Sequence, residues 1–385
     1  MQIITNTSEL DDFCQHASNF DFVTIDTEFL RETTYWPKLC LIQAATVEQA
    51  VIIDPLVNGL DLAPFYQLMD NERVTKVFHA ARQDIEIFVK STGKVPSPCF
   101  DTQIAASVCG YGDSVSYDNL VRQIVGEQID KSSRFTDWSA RPLSEKQLNY
   151  ALGDVTHLRT VYVELVQKIA KLKRQEWVKG ENNILTSIDT YIVEPINAYK
   201  RMKKKINKPR DYAALKLLAK WREEKAQEKN VPRGRVLKDD ALYELAIQRP
   251  NNVQKFDRLR AVPKGFGRSA SASEIIAIFE QVNALENEQL PSVKKRNNGP
   301  SPKGAIGDLI RVLLKAISEQ EGVASRIIAT SDEIDAIVLD DDANIRAMKG
   351  WRYEIFGKKA LAIKHGDIAL GANENGVFEV KVSSD

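Results

Sequence analysis

Over roughly the first 110 residues, short apolar runs rich in β-branched and aromatic side chains alternate with amphipathic stretches. The runs "DFVTID", "LCLIQAAT", "AVIID" and "VTKVFHA" predict strands. Between and after them, "SELDDFCQHA", "DLAPFYQLMDNE", "RQDIEIFVKS" and "TQIAASVCG" carry helical spacing. Early strands and alternating helices, with helices then taking over, predict an α/β layer fold built on a mixed sheet. From Ser116 on the pattern is helical, with no convincing strand before the chain end. The segment from Ser144 to about Leu172 begins with Pro142, then Ser144 as N-cap with Gln147 three residues on, a capping-box pattern. Its apolar stripe is Leu148, Ala151, Val155, Leu158 and Tyr162, whereas Tyr150, Asp154 and His157 fall on a different row.

A basic stretch, "YKRMKKKINKPRDY", separates this region from a block over 209–286 that is helical by pattern, with "VPRG" and "AVPKGFGRS" as turns. A second break, "LPSVKKRNNGPSPKG", has the Pro, Gly and Asn density of a linker. A last helical unit is predicted from about Ala305 to Leu370, followed by a short tail. The two C-terminal blocks are similar in size and read as divergent copies of one unit.

Composition narrows the class. A chain of 385 residues with 43% hydrophobic and 28% charged side chains fits a soluble globular protein of two or three domains. No window approaches the ~18 apolar residues of a membrane helix. The start, "MQIITNTSELDDF", lacks a basic region followed by an apolar core. Cys14, Cys40, Cys99 and Cys109 are scattered without metal-site or disulfide spacing. These features lead us to expect a cytoplasmic protein. The formal net charge of zero hides an asymmetry: residues 1–200 carry a net −8, residues 201–300 a net +11, and residues 301–385 a net −3. An acidic first half joined to a basic middle suggests metal chemistry coupled to a module that meets a polyanion.

The acids give that idea residues. Asp26 and Glu28 lie two positions apart at the end of the first long strand, so both side chains leave the same face. Adjacent carboxylates repel unless protonated or neutralised by a cation, and hard ions such as Mg²⁺ or Mn²⁺ take oxygen ligands. Asp84 opens a helix directly after a strand, near the sheet edge where α/β folds bind ligands. Asp154 follows Tyr150 by one helical turn, so the two project together. Taken singly, each acid is better explained as a solvated edge, a helix-dipole partner or a polar helix face. Together, in this order and on these element types, they are not.

"DTE" on a strand, Asp84 in "HAARQD" and "YxxxD" in a later helix resemble the tyrosine variant of the DEDD exonuclease superfamily. The histidine variant would want His at position 149, which is Asn149. The segments "TIDTEF", "YWPKLCLIQ", "VFHAARQDIEIF", "FDTQIAA", "DWSARPLSEKQLNYALGDVTHL" and "RAVPKGFG" extend the likeness to the bacterial ribonuclease D family over nearly the whole chain. "LAKWREEKAQEKNVPRGRVLKDDALYELA" resembles an HRDC domain, and "GWRYEIFGKKAL" suggests a second.

The resemblance implies a ribonuclease H-like mixed sheet with helices over residues 1–195, then two all-α HRDC-like domains at 209–286 and 300–372. It implies 3′→5′ exoribonuclease chemistry on tRNA precursors or other structured RNA 3′ ends, releasing nucleoside 5′-monophosphates. Asp26, Glu28, Asp84 and Asp154 would hold two divalent ions, Mg²⁺ or Mn²⁺, with Asp26 bridging, while Tyr150 orients the attacking water. Phe29 and Leu30 either floor the terminal nucleotides or pack in the core. His79 either packs or touches substrate. Lys131, Arg134 and Arg141, in the loop before the catalytic helix, either meet phosphates or are solvated. Asp101 reads as the cap of the helix after it, and Gln43 and Trp138 match the family context without a role derived from chemistry. His157 shares Asp154's row, but imidazole is a poor Mg²⁺ ligand. Lys203, Lys204, Lys205, Lys208, Arg210, Lys216, Lys220, Arg222, Arg233 and Arg235 form a basic block suited to RNA by counterion release. We expect a monomer with no membrane contact. A DNA exonuclease with the same site and an inactive nucleic-acid-binding module are the alternatives, and retention of all four acids and the tyrosine speaks against the second.

Overall fold

The computed structural model describes residues 2–204, 206–293, 304–374 and 376–382, so Lys205 and most of the 290–304 linker lie outside the described residues. The chain forms two compact units.

The first unit contains a six-stranded sheet in the order β1-β4-β3-β2-β5-β6. Its strands are β1 (Gln2–Ile4), β2 (Phe22–Leu30), β3 (Lys38–Ala45), β4 (Ala50–Ile53), β5 (Thr75–Phe78) and β6 (Cys99–Asp101). The sheet is mixed: β3 pairs antiparallel with β4, whereas β1–β4, β2–β5 and β5–β6 are parallel. Its helices are α1 (Thr7–Ala17), α2 (Ala63–Asp70), α3 (Arg82–Thr92), α4 (Thr102–Val108), α5 (Tyr117–Ile124), α6 (Glu145–Leu172) and α7 (Gln175–Leu185). Strands β1 and β6 were not foreseen: three residues are too few to display a period of two, and parallel pairing to β4 and β5 makes them strands.

Helix α6 starts as its sequence predicts. The Ser144 side chain and Gln147 cap each other reciprocally, which contributes on the order of 1 kcal/mol. Buried Ala151, Val155, Leu158, Val161, Leu165 and Ile169 lay one face of α6 on the sheet. Two hydroxyls then fix its height. The Thr24 hydroxyl of β2 contacts the Val155 carbonyl at 2.8 Å, and the Tyr117 hydroxyl donates to the Gly153 carbonyl at 3.0 Å. Both carbonyls flank Asp154.

The C-terminal helices belong to this same unit: α13 (Ala305–Glu321), α14 (Ser325–Ile328), α15 (Ser331–Leu339), α16 (Gly350–Arg352) and α17 (Lys358–His365). Trp177 stacks on Trp351 with ring centroids 4.2 Å apart and planes 10° from parallel, and the Arg174 and Arg352 guanidinium groups each lie 4.5 Å from one of the two rings. Arg174 also donates to the Val108 and Glu321 carbonyls, both at 2.7 Å, and Arg352 pairs with Glu181. Gly110 shows how close the approach is. Its φ is +84°, and a Cβ there would lie 2.4 Å from the Gly322 carbonyl oxygen. Gly110→Ala is expected to cost about 3 kcal/mol from left-handed strain plus overlap, read as a lower midpoint in urea unfolding.

The chain end departs from the expected helix-then-tail. Gly366, left-handed at φ +84°, caps α17, and the residues beyond it form an antiparallel pair, β7 (Ile368–Asn373) and β8 (Gly376–Lys381). The helical stretch therefore stops at His365, short of Leu370.

The second unit comprises residues 29–38 and the span from Asp189 to Asn297. Its helices are α8 (Pro209–Glu228), α9 (Arg233–Val236), α10 (Asp239–Gln248), α11 (Val253–Phe256) and α12 (Ala270–Ala284). "VPRG", expected as a turn, instead opens α9, because Pro232 at its N-cap carries the fixed φ that a helix start accepts. Buried Leu215, Leu218, Trp221, Leu242, Leu245, Phe256, Ile275 and Phe279 form its core. Glu223, whose side chain is wholly buried, accepts from the Tyr35 hydroxyl and lies 3.6 Å from Arg233.

Candidate metal centre and active site

Three carboxylates converge. Ligand oxygens of Asp26, Glu28 and Asp154 all lie within 4.8 Å of one another, two from the end of β2 and one from α6. Strand periodicity aims the first pair, and the two hydroxyl anchors on the α6 backbone set the third opposite them. Asp84, in the first turn of α3, is buried and accepts from the Thr27 hydroxyl at 2.5 Å. It stands close enough to Asp26 to raise that group's proton affinity more than Asp154 or Glu28 does.

The electrostatics are those of a cation site. Burial, then the neighbouring carboxylates, pushes Asp26 well above the ordinary carboxylate range and Glu28 up to about 9. Burial pushes Asp84 and Asp154 up to about 7 each. Hydrogen bonds from Thr27 to Asp84 and from Tyr150 to Asp154 oppose the rise, as does Arg134 near Glu28 and Asp154. Four acids that repel this strongly and offer only oxygen donors fit a hard divalent cation.

Tyr150 lies one turn before Asp154, with the buried Trp138 ring centroid 6.0 Å from its own. Burial and then the charges of Asp154, Glu28 and Asp26 push its phenol further above the ordinary tyrosine value. It therefore keeps its proton and hydrogen-bonds to Asp154. His157 is outside the carboxylate cluster among the described residues.

Asp101 caps α4 through the Gln103 and Ile104 N–H groups, as expected, and does more. Its two oxygens also accept from the Ala80 and Ala81 N–H groups, at 3.0 and 2.9 Å. Ala80 sits at φ +58°, a conformation that costs a non-glycine residue roughly 1 kcal/mol. Asp101 thus holds the turn that launches α3 and aims Asp84. Asp101→Asn, which keeps one acceptor oxygen but loses the second and the charge, is expected to lower kcat roughly 10-fold without lost thermal stability beyond about 2 kcal/mol; steady-state kinetics beside a melting curve checks this.

The expected substrate contacts divide. Phe29 and Leu30 finish β2, both half-buried. Arg134 is exposed, and Lys131 pairs with Asp118 at 2.6 Å. Two others are engaged within the fold. Arg141 spends its guanidinium on the fold, gripping Asp54 at 2.6 and 2.7 Å and donating to the Cys40, Trp138 and Ala140 carbonyls. His79 is engaged at both ring nitrogens, by the Thr102 hydroxyl at 3.0 Å and the Val115 carbonyl at 3.2 Å, and burial keeps it neutral. Gln43 is fully buried, and its amide has no protein partner among the described residues.

The sequence reading did not single out Thr24, Thr27 and Tyr117. The two threonines lie inside the strand whose acids drew attention, and polar residues on an otherwise apolar buried strand were the available signal.

Comparison with known proteins agrees with this geometry. A family model described as 3′-5′ exonuclease matches residues 1–170, and the HRDC domain model matches residues 211–278. The chain is 47% identical over 383 residues to a protein named ribonuclease D from Nitrobacter hamburgensis, covering 100% of both chains. It is 48% identical to a ribonuclease D of Bartonella henselae, covering 96% of this chain and 91% of that one. The crystal structure of Escherichia coli RNase D superposes with a TM-score of 0.83 at 27% identity, covering 95% of this chain and 98% of that one. The chain belongs to the ribonuclease D family: a divalent-metal-dependent 3′→5′ exonuclease whose catalytic domain is followed by a helical HRDC domain.

Proposed function

We propose that the chain is an exoribonuclease that shortens structured RNAs, tRNA precursors among them, one nucleotide at a time from the 3′ end, releasing nucleoside 5′-monophosphates. The observation carrying this reading is the Asp26–Glu28–Asp154 cluster with the Tyr150 phenol hydrogen-bonded to its third member. The RNA preference is supported by the names of the relatives and by the description of the E. coli enzyme as an exoribonuclease involved in structured RNA processing.

Two divalent ions, Mg²⁺ or Mn²⁺, would supply water activation and charge relief on the leaving oxygen. Asp26, Glu28 and Asp154 would hold the metal, and Asp84, set back and accepting from the Thr27 hydroxyl, would support it through water. Tyr150 hands a hydrogen bond to the nucleophile and fixes its approach. Tyr150→Phe should then lower kcat by ~10²-fold while leaving the Mn²⁺ dissociation constant, measured calorimetrically, within twofold.

The remaining assignments are of a piece with this one. Residues 209–286 and 300–372 form two HRDC-like domains, supported by a repeated series in which a long helix, a one-turn helix and a shorter helix follow in order: α8, α9 and α10 in one, α13, α14 and α15 in the other. The exposed part of the basic block, including Lys203, Lys208 and Arg235, attracts RNA backbone. Arg210 and Arg222 do not take part, because Arg210 caps α12 carbonyls and buried Arg222 binds Asp239 and the Leu237 carbonyl. The protein works as a cytoplasmic monomer.

Digestion of 5′-labelled single-stranded RNA and DNA of one sequence tests the reading. Stepwise shortening of RNA in Mg²⁺ or Mn²⁺, absent in EDTA and slow on DNA, is expected. Equal or faster loss of DNA would move the function to DNA processing. Tight, salt-sensitive binding without shortening in any ion would make the chain a binding module.

A further inference from the structure

Phe135 is 91% exposed, the most exposed large apolar side chain among the described residues, with Val47 next at 54%. Lone exposed hydrophobics are ordinary on protein surfaces. This one differs in how it is held and in where it stands.

Its turn is anchored on both sides. Ser133 is buried at one end and Trp138 at the other. The Thr136 hydroxyl donates to the Ser133 carbonyl at 2.8 Å and accepts from the Gln147 side-chain amide at 3.1 Å. Gln147 is the capping residue of α6, and Tyr150 lies one turn further along the same helix. The ring is therefore presented from a turn tied to the start of α6, the helix that carries Tyr150 and Asp154. Arg134, beside it, places its guanidinium carbon 5.2 Å from the Phe135 ring centroid and reaches the charges of Glu28 and Asp154. A cation facing the cluster, adjoined by a free aromatic face, matches the alternation of phosphate and base along a single strand.

We propose that Phe135 is a stacking platform for one unpaired base within the last few nucleotides of the RNA, with Arg134 on the adjoining phosphate. The inference rests on the exoribonuclease reading above. Stacking of this kind tolerates any base, because each offers a π face, and it demands that the 3′ end be single-stranded where it passes the turn.

The test is a cycle between protein and substrate. Wild type, F135A, F135L and F135W are compared on 5′-labelled RNA, intact or with one abasic nucleotide at each of the last four positions. F135A is expected to raise KM roughly 10-fold on intact RNA and to change kcat far less; F135W is expected to behave as wild type, and F135L to fall between. At one abasic position the F135A penalty should vanish, since the base it would stack on is gone. A penalty that is equal on every abasic substrate, or no penalty at all, overturns the proposal. So does a penalty that follows a shift in oligomeric state by light scattering, which would assign the ring to contact between copies of the chain. Failure of the wild type to shorten RNA would instead sink the underlying function, so the two failures are distinguishable.

Discussion

Asp26→Asn is expected to abolish turnover and, in the absence of metal, to make the protein more stable. Asp26 lies among three other carboxylates, and each of them raises its proton affinity. Removing this central carboxylate of the cluster should lower kcat by at least on the order of 10³-fold, equivalent to ~4 kcal/mol of barrier. The same substitution removes a group whose ionisation burial and the neighbouring acids oppose, so in EDTA near pH 8 the melting temperature should rise by a few degrees (~1–2 kcal/mol). A residue whose loss destroys activity while relieving strain is one kept for binding a cation. Equal losses of activity and stability would instead make Asp26 an ordinary packing residue. Urea unfolding in EDTA, alongside single-turnover hydrolysis, separates the two.

The second large effect is a dependence of metal-free stability on pH. In the folded chain Asp84 and Asp154 titrate at about 7 and Glu28 at about 9, all above the ordinary values of 3.8 and 4.5. A folded-state pKa above the unfolded one means the native protein holds protons that the unfolded chain releases. Their contribution is present below about pH 4 and is lost as pH rises through 7 and then 9. With EDTA present, the melting temperature should therefore fall by roughly 5–10 °C between pH 5 and pH 9. Saturating Mn²⁺ should flatten the curve, because ligation requires the deprotonated carboxylates, and binding near pH 7 should release protons. Calorimetry in two buffers of different ionisation enthalpy measures that release. A metal-free protein whose stability rises over the same window would show that the acids do not crowd as described.

Where side-chain direction follows from a short period, the site was readable from sequence. Asp26 and Glu28 share a face because a strand alternates, and Tyr150 and Asp154 share a row because a helix returns after one turn. The capping box at Ser144 and Gln147 is equally local, and it stands as expected. What sequence could not supply is contact between distant segments. Asp84 meets the β2 acids because β5 pairs parallel to β2, Phe22 opposite Thr75, and because Asp101, the last residue of the three-residue β6, holds the Ala80 turn. The readings of Arg141 and His79 stayed open in sequence because their partners lie far away along the chain, Asp54 for one and Val115 for the other. Phe135 gave no signal, since a loop has no period from which exposure is read.

The measurement that bears most directly on the whole account is anomalous diffraction from crystals of this protein soaked in Mn²⁺. Manganese is expected on Asp26, Glu28 and Asp154, with none there in Asp26→Asn. Metal-dependent RNA shortening by a protein that places its manganese elsewhere, with these carboxylates unligated, would contradict it.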